Sequence, residues 1–263
     1  MTLAQQMRAN LPSLVALATL AGAFVVAFGA FALKTARSGL PHSKRVLQQG
    51  GTSLLGTYFM EYGLWVFRPA VRACVRMGVR PDSLSWASLV LQLGAGAALA
   101  AGWFGLGGWA LVLGATCDSL DGGVARERGL ASDAGEVLDA AVDRWGEMAV
   151  FFGFAYYYRS DAVGFFFAAA ACAGAVMVSY VRAKGEAMGV TAHMGLMQRH
   201  ERAAYLGVST VLSPLIAWRW EPLAAHSRYP LVLAALALIA VLANATAIQR
   251  TAFIRSELRK RGR

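Results

Sequence analysis

Four aspartates recur at helical spacing within the stretch "CDSLDGGVARERGLASDAGEVLDAAVDRWGE", residues 117–147. They are Asp118, Asp121, Asp139 and Asp143, in a chain that contains only seven aspartates in total. A charged side chain at the centre of a membrane helix costs about 2.5–3.5 kcal/mol on insertion scales, and neighbouring carboxylates also repel one another. Such a cluster in an apolar chain therefore requires a partner of opposite charge.

The spacing of the four aspartates predicts that their side chains converge. Asp118 and Asp121 are three residues apart and Asp139 and Asp143 are four apart, so each pair lies on one face of its helix. The short turn "RERGLAS" makes the two helices antiparallel and brings the pairs together. Two divalent cations would balance about four negative charges, and all-oxygen ligation favours Mg²⁺ or Mn²⁺. A pair of such ions is a clamp for phosphoryl displacement.

Small and basic neighbours extend this hypothesis. Gly122, Ala125 and Gly135 leave room for a ligand to approach the helix backbone, and Arg126 offers a guanidinium fork for phosphate oxygens. Helix capping or an ordinary ion pair at a membrane boundary explains any single aspartate equally well. Neither explains the repeat of acidic residues on a second turn in both helices.

The composition is typical of a polytopic membrane protein. Among 263 residues, 57% are hydrophobic and 15% are charged. The formal net charge of +10 does not indicate nucleic-acid binding, because the cations alternate with apolar runs of roughly 20 residues. The three cysteines are odd in number and scattered, so they predict neither a disulfide framework nor a metal site.

Span-length apolar runs predict an all-α integral membrane protein with a six-helix transmembrane core. Arg68, Arg72 and Arg76 are spaced four apart along one helical face, which predicts an interfacial amphipathic helix before the core. The cytoplasmic lead-in of the first core span would have the same pattern. One extra N-terminal transmembrane helix, an uncleaved anchor at about 12–33, precedes this segment. The predicted core spans are 83–103, 107–125, 136–157, 162–183, 203–218 and 229–249.

We divide the chain into three parts. Residues 1–53 form the N-terminal anchor and linker, residues 54–252 the interfacial helix and catalytic membrane domain, and residues 253–263 a basic cytoplasmic tail. Most of the 25 lysines and arginines fall on the face where the aspartate window opens. The positive-inside rule makes that face cytoplasmic, which predicts an inner-membrane protein whose site faces the cytoplasm.

The window matches the signature D-x2-D-G-x2-A-R-x8-G-x3-D-x3-D at every fixed position. In this respect the chain resembles the CDP-alcohol phosphotransferases, or CDP-alcohol phosphatidyltransferases, a family of membrane enzymes that make phospholipids. The resemblance covers about residues 54–252 and implies a homodimer. It also implies transfer of a phosphatidyl group from a CDP-linked lipid, such as CDP-diacylglycerol, to an alcohol, with release of CMP.

The resemblance assigns roles to the signature residues. It implies that Asp118, Asp121 and Asp139 hold the two divalent cations, and that Asp143 completes the metal site and acts as general base. The implied contacts to the CDP moiety fall on Gly122, Ala125, Arg126 and Gly135.

A basic segment, residues 179–207, is the candidate acceptor site. Its cations are Arg182, Lys184, Arg199 and Arg202, which would suit an anionic acceptor, although an ordinary positive-inside loop has the same composition. "SYVRAKGE" resembles the phosphatidylinositol phosphate synthase branch of the family, which uses inositol phosphate; that resemblance adds Arg250. "QRHER" departs from the branch pattern at two positions, which leaves glycerol 3-phosphate or another polyol phosphate as alternative acceptors.

An ion-coupled transporter is the alternative from another functional class, since intramembrane carboxylates also bind ions for passage. The acids of this chain are predicted at one membrane edge rather than at the midplane, and the sequence contains no pair of interrupted helices. Both features favour the enzyme.

Overall fold

The computed structural model describes residues 22, 25–40, 56–192, 194–195, 197–221 and 227–262. Residues 12–21 of the predicted anchor and residues 41–53 of the predicted linker lie outside this part of the chain. The described residues contain helices and no strand, and residues 25–38 form a first helical segment. The helices that follow are α1 (Gly56–Arg76), α2 (Pro81–Ala100), α3 (Phe104–Glu127), α4 (Asp133–Tyr157), α5 (Ala162–Ala187), α6 (Arg199–Trp220) and α7 (Pro230–Lys260).

The turn between α3 and α4 follows from local sequence signals. Gly129 has a positive φ of 64°, a left-handed conformation that glycine adopts at little cost, and it ends α3. Ser132 then caps α4, since its side-chain oxygen accepts a hydrogen bond of 3.2 Å from the Gly135 N–H. The turn therefore makes α3 and α4 antiparallel, as the sequence predicts.

Helix α2 packs against both α3 and α4 through glycines. A Cβ atom at Gly114 of α3 would lie 3.0 Å from the Gln92 side chain, and one at Gly146 of α4 would lie 2.6 Å from it. Further along, a Cβ at Gly96 would collide with the backbone of Ala149. Small residues let the helix backbones approach closely, so α2 fixes the two acidic helices relative to each other.

The remaining helices complete one bundle. Helix α5 packs against α4 and α7, α6 packs against α3 and α7, and α1 lies against α3. The core contains fully buried Leu99, Phe154, Leu236 and Ile239. The α1 contact is a small separate cluster in which Val71 packs against α3 residues.

The end of the bundle remote from the aspartates has its own polar contacts. The hydroxyl groups of Tyr157 and Tyr158 donate hydrogen bonds to the backbone carbonyls of Ser227 and Arg228, at 2.7 and 2.8 Å. The Arg228 guanidinium pairs with Asp161 and holds the pKa of that carboxyl below its ordinary value. These contacts connect the end of α4 and the start of α5 to the segment before α7.

Six helices coincide with the six predicted core spans, with boundaries that differ by a few residues except at the end of α7, which extends to Lys260. Among the described helices, α2, α5 and α7 are long and apolar enough to cross a membrane. The other core helices carry the aspartates or, in α6, arginines and a proline. The all-helical architecture is confirmed, while the number of membrane crossings stays a prediction.

Because α2 and α4 approach closely, a glycine-to-alanine change in α2 should lower stability only where the glycine faces α4. We expect Gly96→Ala to destabilise the protein by about 1–3 kcal/mol, because the added Cβ meets backbone atoms that cannot move aside. Gly94→Ala is the matched control, since nothing lies within 4 Å of its Cβ position and alanine favours a helix. Thermal unfolding in detergent measures both, and equal melting temperatures for the two variants would contradict the packing.

Candidate active site

Carboxylates from α3 and α4 meet at the ends of these helices that the short turn joins. Asp118 and Asp121 come from α3 and Asp139 from α4, and one oxygen atom of each lies within 4.8 Å of the others. Oxygen atoms that bind the same cation lie at such distances from one another. Negatively charged oxygens repel one another at this distance unless a positive charge lies between them. The structure thus brings together three of the four predicted metal ligands.

Asp121 is held by two hydrogen bonds. The Ser85 hydroxyl of α2 donates to Oδ2 at 2.7 Å, and the backbone N–H of Gly122 donates to Oδ1. Asp121 is buried, so these donors fix its orientation as well as offset its charge. Ser85 was not among the predicted site residues, and the only sequence signal was a hydroxyl four residues after the proline that begins an apolar helix.

Arg199, at the start of α6, binds two of the aspartates. Its Nη1 and Nη2 atoms donate hydrogen bonds of 3.0 Å to the two oxygens of Asp118, a bidentate pair between residues 81 apart in the sequence. Nη2 also forms an ion pair with Oδ1 of Asp143. Arg199, predicted for the acceptor site, therefore lies against the carboxylates in this structure.

Asp143 stands beside the three-carboxylate group rather than within it. Its Oδ2 lies 3.6 Å from Arg144 Nη2. Its Oδ1 is buried and pairs with the Arg199 guanidinium, so a cation or substrate that displaces Arg199 would leave this oxygen free to accept a proton or to complete a metal's coordination.

A second bidentate pair lies one turn further along α4. Glu147 accepts hydrogen bonds of 2.8 and 3.1 Å from Nε and Nη2 of Arg202, whose Nη1 donates to the Met197 carbonyl at 3.2 Å. Only 1% of the Arg202 side chain is exposed. Arg202, another predicted acceptor residue, thus anchors the start of α6 to α4.

The other predicted acceptor residues lie on α5 and α7. Arg250 is buried and donates hydrogen bonds to the carbonyls of Met194 and Val178, at 2.8 and 3.1 Å. Arg182 is exposed and pairs with Glu186 at 2.9 Å, and Lys184 is exposed. The exposed pair has freedom to reorient toward a ligand, while Arg250 holds the loop before α6.

The residues predicted to contact the CDP moiety surround the end of α3. A Cβ at Gly122 would lie 3.1 Å from Arg126 Nη1, so the guanidinium lies over the glycine one turn before it. Ala125 is half-buried, and a Cβ at Gly135 would lie 3.3 Å from the capping Ser132 hydroxyl. Any bulkier residue at Gly122 would displace Arg126 from the position it occupies.

The donor set fits a divalent cation. All the converging groups are carboxylate oxygens, which Mg²⁺ and Mn²⁺ prefer, and no cysteine or histidine belongs to the group. The guanidinium groups of Arg199 and Arg144 supply two positive charges against the four aspartates. The excess of negative charge leaves the site suited to cations.

The model of the CDP-alcohol phosphatidyltransferases matches residues 79–254, which include every signature residue. The chain belongs to the CDP-alcohol phosphatidyltransferase family. It is therefore a transferase of phospholipid biosynthesis and an integral membrane protein.

Individual members of the CDP-alcohol phosphatidyltransferase family agree with this assignment. The phosphatidylinositol phosphate synthase of Cutibacterium acnes is 36% identical over 146 residues, which cover 52% of this chain and 68% of that protein. The archaetidylinositol phosphate synthase of Methanothermobacter thermautotrophicus is 27% identical and covers 73% of this chain and 94% of its own. The structure of Mycobacterium tuberculosis phosphatidylinositol phosphate synthase with CDP-DAG bound superimposes with a TM-score of 0.60 at 25% identity, covering 71% of this chain and 92% of that chain.

The Ser85 hydrogen bond predicts an effect on metal affinity. We expect Ser85→Ala to weaken Mn²⁺ binding about 10–100-fold, because Asp121 loses the donor that orients it. Ser119→Ala is the matched control, since its exposed hydroxyl donates only to the Ala115 carbonyl of its own helix. Electron paramagnetic resonance of free Mn²⁺ during a titration gives both affinities, and wild-type affinity in Ser85→Ala would refute this role.

Proposed function

We propose that this protein transfers the phosphatidyl group of CDP-diacylglycerol to inositol phosphate and releases CMP. The observation that carries the proposal is the convergence of three carboxylate oxygens within 4.8 Å, on the two helices that carry the CDP-site signature. Such a site neutralises a diphosphate, and a nucleotide-linked lipid presents one at the membrane surface.

The signature residues have distinct tasks in this scheme. Asp118, Asp121 and Asp139, with Asp143, would hold two divalent cations, Mg²⁺ or Mn²⁺, which when bound supply positive charge to the phosphate oxygens of the donor. Arg126 adds a guanidinium fork at the end of α3. The absence of a side chain at Gly122 lets the donor approach the helix backbone, and Ala125 and Gly135 keep that approach open.

Asp143 is the proposed general base. The acceptor hydroxyl gives its proton to an Asp143 oxygen as its own oxygen forms a bond to the lipid-bearing phosphorus. The bond between that phosphorus and the CMP oxygen breaks, so CMP leaves with the electron pair. Asp143 is suited to this task because it is buried beside the three-carboxylate group and pairs with Arg199, which can orient an anionic acceptor.

The acceptor is proposed to be anionic because one cation of the predicted acceptor set, Arg199, lies against the aspartates. Arg199 is already at the site, and Lys184 and Arg182 are exposed on the last turns of α5. The buried Arg202 and Arg250 complete the predicted set, and they hold the loop and the start of α6 through hydrogen bonds. Two related proteins are named as synthases of inositol phosphate lipids, which supports inositol phosphate over other polyol phosphates.

Topology and assembly belong to the same proposal. We infer six transmembrane helices in the catalytic domain, residues 54–252 with the interfacial helix, preceded by an anchor and linker over residues 1–53. Residues 253–263 would lie in the cytoplasm, together with the active site, on the inner membrane. The excess of cations on that face supports the orientation, and a homodimer is the assembly expected for the family.

The test is release of CMP by the purified protein from CDP-diacylglycerol with Mg²⁺ or Mn²⁺. Inositol phosphate, glycerol 3-phosphate, free inositol and serine are supplied in parallel as acceptors. We expect release with inositol phosphate alone, because free inositol and serine carry no phosphate for the cationic side chains, and the related proteins are named as synthases of inositol phosphate lipids and not of glycerol phosphate lipids. Release with glycerol 3-phosphate instead would support phosphatidyl transfer but contradict inositol phosphate as the acceptor.

The proposed base predicts a loss of turnover without a loss of donor binding. We expect Asp143→Asn to lower kcat about 10²–10⁴-fold, the range general-base catalysis contributes, while CDP-diacylglycerol still binds. Asp133→Asn is the control, since Asp133 is exposed in the first turn of α4. Turnover is measured as CMP release and binding with radiolabelled donor; near-normal turnover of Asp143→Asn would exclude the role of base.

The exposed lysine of α5, Lys184, should affect the KM for the acceptor and not the KM for the lipid donor. We expect Lys184→Ala to raise KM for inositol phosphate about tenfold, the effect of one lost charge-assisted hydrogen bond, with KM for CDP-diacylglycerol unchanged. Arg255→Ala removes an exposed cation of α7 as the control. An unchanged KM for inositol phosphate, or an equal rise in both constants, would remove Lys184 from the acceptor site.

A further inference from the structure

The N-terminal helical segment, residues 25–38, is docked on α1 by aromatic contacts. Phe31 is fully buried, and its ring lies edge-on to Tyr58 and Tyr62 with centroids 5.2 and 5.6 Å away. Phe28 contacts the same two rings at 5.9 and 5.4 Å. Edge-to-face pairs of this kind fix relative orientation, so the polar side chains of the segment have a defined place beside α1.

The segment and α1 line an open cavity of about 450 Å³. Three of its lining side chains are cationic: Lys34 from the segment, and Arg68 and Arg72 one turn apart on α1. Lys34 Nζ lies 5.9 Å from the centroid of the Trp65 ring, which forms another part of the wall. Without the segment the cavity would lose one wall and one of its three charges.

The three cationic side chains of this cavity have no ion-pair partner among the described residues. None of its lining residues is acidic, and no ion pair there involves Lys34, Arg68 or Arg72. Three like charges around one cavity repel one another, and an anion between them would relieve the repulsion. The electrostatics therefore favour a ligand with a compact negative group.

The rest of the wall is apolar. Trp65, Val66 and Pro69 line the cavity beside the cations, and the Val66 side chain is exposed. A free inorganic anion would gain nothing from these side chains. A molecule that joins a phosphate to hydrocarbon matches both halves of the wall, and an interfacial amphipathic helix lies at the depth where such molecules have their headgroups.

The opposite face of α1 covers the catalytic helix. Val71, between Arg68 and Arg72 in sequence, packs on Leu120 and Val124 of α3, and its side chain lies 2.7 Å from the place of a Cβ at Gly123. This contact is close to Asp121 in sequence. The cavity is thus separate from the aspartate site, with one helix between them.

We propose that this cavity binds the phosphate headgroup of an anionic phospholipid of the surrounding bilayer, with Lys34, Arg68 and Arg72 as its ligands. The bound lipid ties the N-terminal segment to α1 and α1 to the membrane surface. The site gives the extra N-terminal segment a role that does not depend on the proposed transfer reaction. Its occupant is a lipid with a phosphate and a net negative charge, and zwitterionic lipids bind less well.

The test is lipid retention by the full chain in detergent, measured by native mass spectrometry with phosphatidylglycerol and with phosphatidylcholine. We expect preferential retention of one phosphatidylglycerol per chain. Replacing Lys34, Arg68 and Arg72 by alanine together should weaken it about a hundredfold, and each single change about fivefold. A charge-matched control replaces the exposed cations Arg255, Arg259 and Lys260, and should retain the lipid as the wild type does.

Two results would overturn the proposal. One is a failure of specificity: either the wild type retains both lipids equally, or the control variant loses the lipid as strongly as the triple variant of the cavity does. The other is displacement of the lipid by millimolar inorganic phosphate with no lipid preference, which would identify a plain anion site. The single variant Lys34→Glu keeps the test valid if the triple variant does not fold, since it reverses one exposed charge. The readout is binding, so a failed transfer assay does not bear on it.

Discussion

Repulsion between carboxylates governs the architecture of this protein. Three carboxylate oxygens lie within 4.8 Å of one another at one end of an apolar helix bundle. Two unit negative charges at that separation repel by about 3 kcal/mol at an effective dielectric constant of about 20. Burial of the fourth aspartate, Asp143, adds a desolvation cost. The fold must hold these groups together against both effects, and it does so with rigid helix packing and with cations.

The supporting structure is distributed over two neighbouring helices, α2 and α6. Helix α2 fixes α3 and α4 through backbone contacts at glycines, and it supplies the Ser85 hydroxyl to Asp121. Helix α6 supplies Arg199, whose bidentate bond to Asp118 offsets part of the negative charge. The start of α6 is in turn held by the buried Arg202–Glu147 pair. Buried ion pairs of this type add little net stability but strongly disfavour other arrangements, since a lone buried charge is costly.

The sequence predicted what depends on local pattern. Helical spacing placed the four aspartates on two faces, and the glycine-containing turn before Ser132 predicted antiparallel helices. It did not predict contacts across long sequence distances, such as Arg199 with Asp118 or Ser85 with Asp121, because no periodicity links those positions. Apolarity identifies α2, α5 and α7 as able to span a membrane, while the helices that carry the functional charges are less apolar for that reason. The aspartate motif could therefore be predicted from the sequence, and the residues that support it could not.

Anomalous scattering from crystals of the protein soaked in Mn²⁺ would show whether the aspartates form a metal site. We expect manganese peaks bounded by Asp118, Asp121 and Asp139, with the Arg199 guanidinium moved away from Asp118 because cation and guanidinium compete for the same oxygens. No peak among these carboxylates at saturating Mn²⁺, with the Arg199–Asp118 pair intact, would contradict this expectation. In that case the aspartates would be a self-neutralised ionic cluster rather than a metal site.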